Sequence, residues 1–85
     1  MKKFQYEIKD KLGIHARPAG LLVKEAKRFK STVTVRAKEK AADASKLMAL
    51  MGLGIKQGDV VEVEADGPDE DEAIKAAEDF FVKNL

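Results

Sequence analysis

Three segments of this chain alternate apolar and polar residues, and they are interleaved with segments whose apolar residues recur at helical spacing. Few folds accommodate that order. Phe4, Tyr6 and Ile8 alternate with Lys3, Gln5 and Glu7; Val33 and Val35 with Thr32, Thr34 and Arg36; Val61, Val63 and Ala65 with Glu62, Glu64 and Asp66. A period of two places all apolar side chains of a strand on one face, so each segment predicts a half-buried strand. Ala19, Leu22, Val23, Ala26 and Phe29 instead build one helical stripe, with Arg17, Lys24, Lys27 and Arg28 off it, and Ala73, Ile74, Ala77 and Phe81 build another near the end. Asp69, with Glu72 three residues on, predicts a capping-box-like start for that last helix, Asp standing in for Ser or Thr. Glu39 to Asp43 is the expected hairpin partner of the second strand, and the apolar run at Leu47–Met51 is a short middle helix. The order is strand, helix, two strands, helix, strand, helix: a split βαβ arrangement with one more helix. Clean polar alternation on the strands argues for helices packed on one face of an antiparallel sheet.

At 85 residues the chain is expected to form a single domain, residues 1–85, near the size at which one core just suffices. It has no Cys and a single His, so neither disulfides nor a zinc site is expected, and no cofactor is implied. The chain shows no apolar leader and no stretch of membrane-spanning length, and the expectation is a soluble cytoplasmic protein without direct membrane insertion. Net charge is only +1, but it is unevenly spread. Residues 1–56 carry 14 Lys and Arg against 5 Asp and Glu, and residues 57–85 carry 2 against 10. The basic part contains the histidine, and such a pole steers acidic partners toward it. A nucleic-acid partner is not expected, because sheets that read bases present exposed aromatics. This chain has one Tyr, four Phe and no Trp, mostly on apolar stripes.

The histidine lies in Gly13-Ile14-His15-Ala16-Arg17-Pro18-Ala19, immediately before the first helical stripe. Pro18 is tolerated within a first turn, because its missing N–H is one the helix could not have bonded. The helix is therefore expected to start at about Ala16, with His15 at or beside the N-cap. A helix start presents unpaired N–H groups and the positive end of the macrodipole, which favour a neutral imidazole as nucleophile and an anionic phosphate as product. The segment suggests a phosphohistidine. Arg17 adds a planar cation able to meet phosphate oxygens in bidentate fashion.

These seven residues resemble the active-site signature of the histidine-containing phosphocarrier (HPr) family of the bacterial phosphoenolpyruvate-dependent sugar phosphotransferase system. Leu47-Met48-Ala49-Leu50-Met51-Gly52-Leu53-Gly54-Ile55 is similar to the family's second helix and its Leu-Gly-Ile exit, at a distance from His15 that needs no insertion. Gly58 and the acidic Asp69-Glu70-Asp71-Glu72-Ala73 also fall where the family has them, so the resemblance covers essentially the whole chain. It implies an α+β open-faced sandwich in which three helices cover one face of four antiparallel strands, in the order βαββαβα. It further implies phosphorylation of His15 at Nδ1 (pros-phosphohistidine), with Arg17 and the amides of Ala16 and Arg17 holding the phosphate. The partners implied are enzyme I and enzyme IIA domains, meeting a surface that comprises Gly20, Lys24, Lys27, Leu47, Met48 and Met51. The protein would act as a carrier and not as an enzyme by itself, and a monomer is expected, since one face serves successive partners.

Leu47, Met48, Leu50 and Met51 are more apolar than one buried face requires. Leu50 is assigned to the core, and the flexible thioethers suit a surface shared by several partners. The chain departs from relatives regulated at a serine, which carry Lys-Ser before the second helix. Here Asp43-Ala44-Ser45-Lys46 puts Lys46 at the matching position and Ser45 one residue earlier. Ser45 is expected to be a plain N-cap; the alternative is a displaced regulatory site for a serine kinase and phosphorylase.

Overall fold

A computed structural model describes residues 1–85. The elements follow the expected order: β1 (Lys2–Glu7), α1 (Ala16–Lys27), β2 (Thr32–Ala37), β3 (Lys40–Asp43), α2 (Leu47–Met51), β4 (Val60–Asp66) and α3 (Glu70–Asn84). The strands form one sheet in the order β1-β4-β2-β3, with every neighbouring pair antiparallel. Register follows the apolar alternation. Phe4 and Val35 both lie opposite Val63, so the inward residues of three strands fall in one row.

Ile8, Leu22, Val35, Leu50, Val61, Val63 and Phe81 lose essentially all contact with solvent, and they come from every layer of the sandwich. The three helices lie on one face, α3 across β1, β4 and β2, with α1 between α3 and α2. Phe81 anchors α3. Its ring meets Phe4, Tyr6 and Phe80 edge-on at centroid distances of 5.8, 5.7 and 6.2 Å, a geometry worth about 0.5–1.5 kcal/mol per pair beyond area burial. Arg36 on β2 and Glu62 and Glu64 on β4 sit on the opposite, open face, where the Arg36 guanidinium reaches Glu64 at 2.5 Å and Glu62 at 3.6 Å.

Three local expectations are corrected. The hairpin partner begins at Lys40 and not at Glu39, because Ala37 pairs with Lys40 and leaves Lys38 and Glu39 as a two-residue loop. Both have positive φ, 53° and 70°, the twist that such hairpin loops require and that Asn-Gly ordinarily supplies. With neither Asn nor Gly present, the turn left no mark in the sequence. Ser45 is not an N-cap: Lys46 occupies that position, and the Ser45 hydroxyl and N–H both donate to Asp43 Oδ1, at 2.7 and 2.8 Å. Asp69 stands at the N-cap of α3 but forms no capping box. Its carboxylate turns away from its own helix and accepts from Lys30 N–H (2.9 Å), Ser31 N–H (2.8 Å) and Ser31 Oγ–H (2.5 Å). These bonds fasten the α1–β2 connection to the start of α3 and hold the Asp69 carboxyl below its ordinary pKa, with the Ser31 hydroxyl as the largest cause.

Candidate functional site: the start of helix α1

Gly13 sets the approach to α1. Its φ is 67°, and a Cβ there would lie 2.2 Å from the Ile55 carbonyl oxygen, so only glycine lets the two backbones meet. Ile14 N–H then donates to that same oxygen at 3.2 Å, and the next residue, His15, is extended (φ −106°, ψ −176°) and caps α1. The His15 carbonyl accepts the Ala19 N–H at 3.0 Å, the first bond of the helix. The His15 side chain makes no capping bond, and no acidic residue stands in the first turn. The N–H groups of Ala16 and Arg17 find no acceptor in the protein, and Pro18, buried beneath them, has no N–H to satisfy. A half-exposed imidazole thus sits against two open backbone donors at the positive end of a helix of 12 residues. That arrangement accepts an anion.

Arg17 is exposed and has no carboxylate partner within ion-pair distance, so its guanidinium is available to a phosphate. His15 and Arg17 line an open cleft together with Asp10, Leu12, Pro18, Leu21 and Asn84. Asp10 Oδ1 lies 4.0 Å from His15 Nε2 and accepts the Leu12 N–H at 2.8 Å. Sequence reasoning missed Asp10, Leu12, Leu21 and Asn84. A turn at Asp10–Gly13 was legible from its composition, but not its approach to the imidazole. Asn84 arrives from the far end of α3, where the Leu85 carbonyl accepts the N–H groups of Lys9 (2.5 Å) and Asp10 (2.9 Å).

Lys24 and Lys27 are exposed on α1, and Gly20 is half-buried with open space where a Cβ would project. On α2, which packs against α1, Leu50 is fully buried while Leu47, Met48 and Met51 keep 38%, 80% and 39% of their surface. The apolar excess read from the sequence therefore faces solvent.

A family model described as the phosphotransferase-system HPr component phosphorylation site matches residues 2–83. The chain belongs to the HPr family. The phosphocarrier protein HPr of Mycoplasma genitalium is 45% identical over 85 residues, covering 99% of this chain and 97% of that one. HPr of Mycoplasma capricolum is 43% identical over 82 residues, covering 96% and 92%. The solved structure of a Mycoplasma histidine-containing phosphocarrier protein superposes with a TM-score of 0.94 at 41% identity, covering 96% of this chain and 93% of that chain. The four antiparallel strands under three helices are therefore the HPr fold, and membership makes this chain a phosphocarrier of the phosphotransferase system. No helix is long and apolar enough to cross a membrane.

Proposed function

We propose that this HPr accepts a phosphoryl group on His15 Nδ1 from phosphorylated enzyme I and passes it to enzyme IIA domains. The supporting observation is the N-cap imidazole beside the unpartnered amides of Ala16 and Arg17. In the loading step the Nδ1 lone pair forms the new P–N bond as the donor's P–N bond breaks, and the electron pair returns to the donor imidazole. Charge spreads over three phosphoryl oxygens in the transition state, and fixed donors are most effective there. Arg17 supplies the mobile cation and the two amides supply the fixed dipoles. A helix terminus contributes about 0.3–1 kcal/mol to an exposed anion and up to about 2 kcal/mol in good geometry, which steadies the phosphoramidate without trapping it.

Leu47, Met48 and Met51 form the apolar centre of the docking surface, and Lys24, Lys27 and Arg17 its basic rim. Gly20 keeps that surface flat where a partner backbone approaches. A single surface of this kind obliges donor and acceptor to bind in turn. Ser45 serves the Asp43 turn in this reading, since a phosphate placed against the Asp43 carboxylate meets like charge. Peptide mapping after exposure to a serine kinase checks this, and labelled Ser45 would restore it as a regulatory site.

The central test is incubation with enzyme I and phosphoenolpyruvate, followed by intact-mass measurement of wild type and His15→Ala before and after mild acid. The expected result is one acid-labile phosphoryl adduct on wild type and none on the variant, whose fold stability should stay within about 0.5 kcal/mol of wild type. An adduct that survives acid, or that persists in the variant, removes His15 from this role.

A further inference from the structure

The cleft beside His15 holds a carboxylate that the phosphate site does not use. Its lining carries two charged groups besides the histidine, Arg17 and Asp10. Arg17 lies in the first turn of α1 and is exposed. Asp10 belongs to the turn preceding that helix, and its Oδ1 stands 4.0 Å from the other ring nitrogen, Nε2. That carboxylate is held in place: Oδ1 accepts the Leu12 N–H at 2.8 Å, the Asp10 carbonyl accepts the Gly13 N–H at 3.0 Å, and the Asp10 N–H is tied to the Leu85 carbonyl at 2.9 Å. At 4.0 Å no hydrogen bond is formed, and catalytic hydrogen bonds are often long in the unliganded protein and tighten only in the reacting complex.

We infer that Asp10 is a positioning residue for His15, holding the proton on Nε2 so that Nδ1 is the nucleophile in loading and neutral imidazole is the leaving group in delivery. The inference rests on the carrier reading of His15. Two nitrogens compete for one proton in a neutral imidazole, and the partner of one fixes the availability of the other. A carboxylate at Nε2 favours the Nε2–H tautomer, which leaves the Nδ1 lone pair free for phosphorus. Once Nδ1 carries the phosphoryl group, the same carboxylate favours retention of the Nε2 proton. When the P–N bond then breaks, its electron pair returns to Nδ1 and the group that departs is neutral imidazole. Without that proton the departing group would be imidazolate, a far poorer leaving group. Asp10 thus acts on both steps through one interaction and touches no phosphoryl oxygen.

The experiment compares wild type with Asp10→Asn, which keeps an oxygen acceptor for the Leu12 N–H while removing the charge, and with Asp10→Ala, which removes both. The first readout is the ratio of Nε2–H to Nδ1–H tautomers of unphosphorylated His15, measured by nitrogen-15 NMR. The second is the hydrolysis rate of the phosphorylated protein, loaded with enzyme I and phosphoenolpyruvate and then freed of both, at mildly alkaline pH. Two unit charges 4.0 Å apart in water interact by about a fivefold factor, so hydrolysis, which runs through the ring protonated at Nε2, should slow about fivefold in Asp10→Asn, and the tautomer ratio of the uncharged ring should fall in the same direction by a smaller factor. A purely structural role for Asp10 would leave both unchanged in Asp10→Asn and alter them only in Asp10→Ala, and that result overturns the inference. If wild type takes up no phosphoryl group on His15, the carrier reading fails, and the tautomer ratio alone still decides whether Asp10 orients the ring.

Discussion

The starts of α1 and α3 are opposite solutions to one problem. Each helix begins with backbone N–H groups that its own turns cannot satisfy. At α3 the chain supplies negative charge in excess: Glu70, Asp71 and Glu72 occupy the first turn, Glu70 accepts the Gly67 N–H at 3.3 Å, and Asp69 fastens the neighbouring connection. At α1 it supplies none, and a histidine that makes no capping bond stands where a Ser or Asp would ordinarily cap. The N–H groups of Asp71 and Glu72 find no acceptor in the protein either, so the acidic end differs in charge: its carboxylates balance the helix dipole and serve the fold. The α1 start forgoes that stabilisation and, in the function proposed for His15, keeps its donors for an anion that comes and goes. The same macrodipole is thus balanced by side chains in α3 and left unbalanced in α1.

Placing an acid at the α1 start should abolish this contrast. Ala16 is exposed at the first position of α1, so Ala16→Asp fills the site with a resident carboxylate. Phosphoryl loading by enzyme I is expected to fall on the order of 10²–10³-fold, as when an oxyanion donor is lost. Thermal unfolding should meanwhile show a gain of about 0.3–1 kcal/mol. Loading that survives the substitution would show that the open amides do not hold the phosphate. Arg17→Ala leaves the backbone donors intact and removes only the mobile cation, so steady-state transfer should slow by a smaller factor, on the order of 10-fold to 100-fold. If it slows more than Ala16→Asp does, the guanidinium and not the helix start dominates.

Acid loosens the fastening at the start of α3. The folded protein holds the Asp69 carboxyl below its ordinary range, chiefly through the Ser31 hydroxyl and then the Lys30 N–H. Its contribution is therefore complete above the unfolded value of about 4 and is lost as pH falls from there through the lower folded value. Denaturant unfolding of wild type and Asp69→Asn should differ most near neutrality and converge at the acid end, and a difference independent of pH would assign the effect to shape and not to charge. The smallest effect is expected at Gly20. A Cβ there meets nothing within 4 Å, so Gly20→Ala should stabilise the helix by about 0.5–1 kcal/mol while weakening the complex with enzyme I, measured by calorimetry. Unchanged binding would place Gly20 outside the docking surface.

The parts of the molecule legible in the sequence were those in which a period repeats. The alternation at Val33–Val35 and Val61–Ala65 located two strands and their buried faces, and Pro18 with the stripe from Ala19 placed the start of α1 at about Ala16 with His15 at or beside the N-cap, where the structure puts it. Contacts between distant segments left no such trace. Asp69 looked like a partner for Glu72 and instead binds Lys30 and Ser31, because only the folded chain brings the end of α1 against the start of α3. Ser45 had the composition of a cap, but the Asp43 carboxylate two residues away captures its hydroxyl.

The sequence by itself determined which side chains face the core, where the histidine enters its helix, and which family the chain resembles, because periodicity and motif are properties of neighbouring residues. Tertiary structure alone decided what surrounds that histidine. Asp10 and Asn84 are 74 positions apart and share a cleft with His15 and Arg17 because α3, pinned by Phe81 over the sheet, carries its last turn back to the loop before α1. Packing brings them together, and packing depends on the whole chain at once.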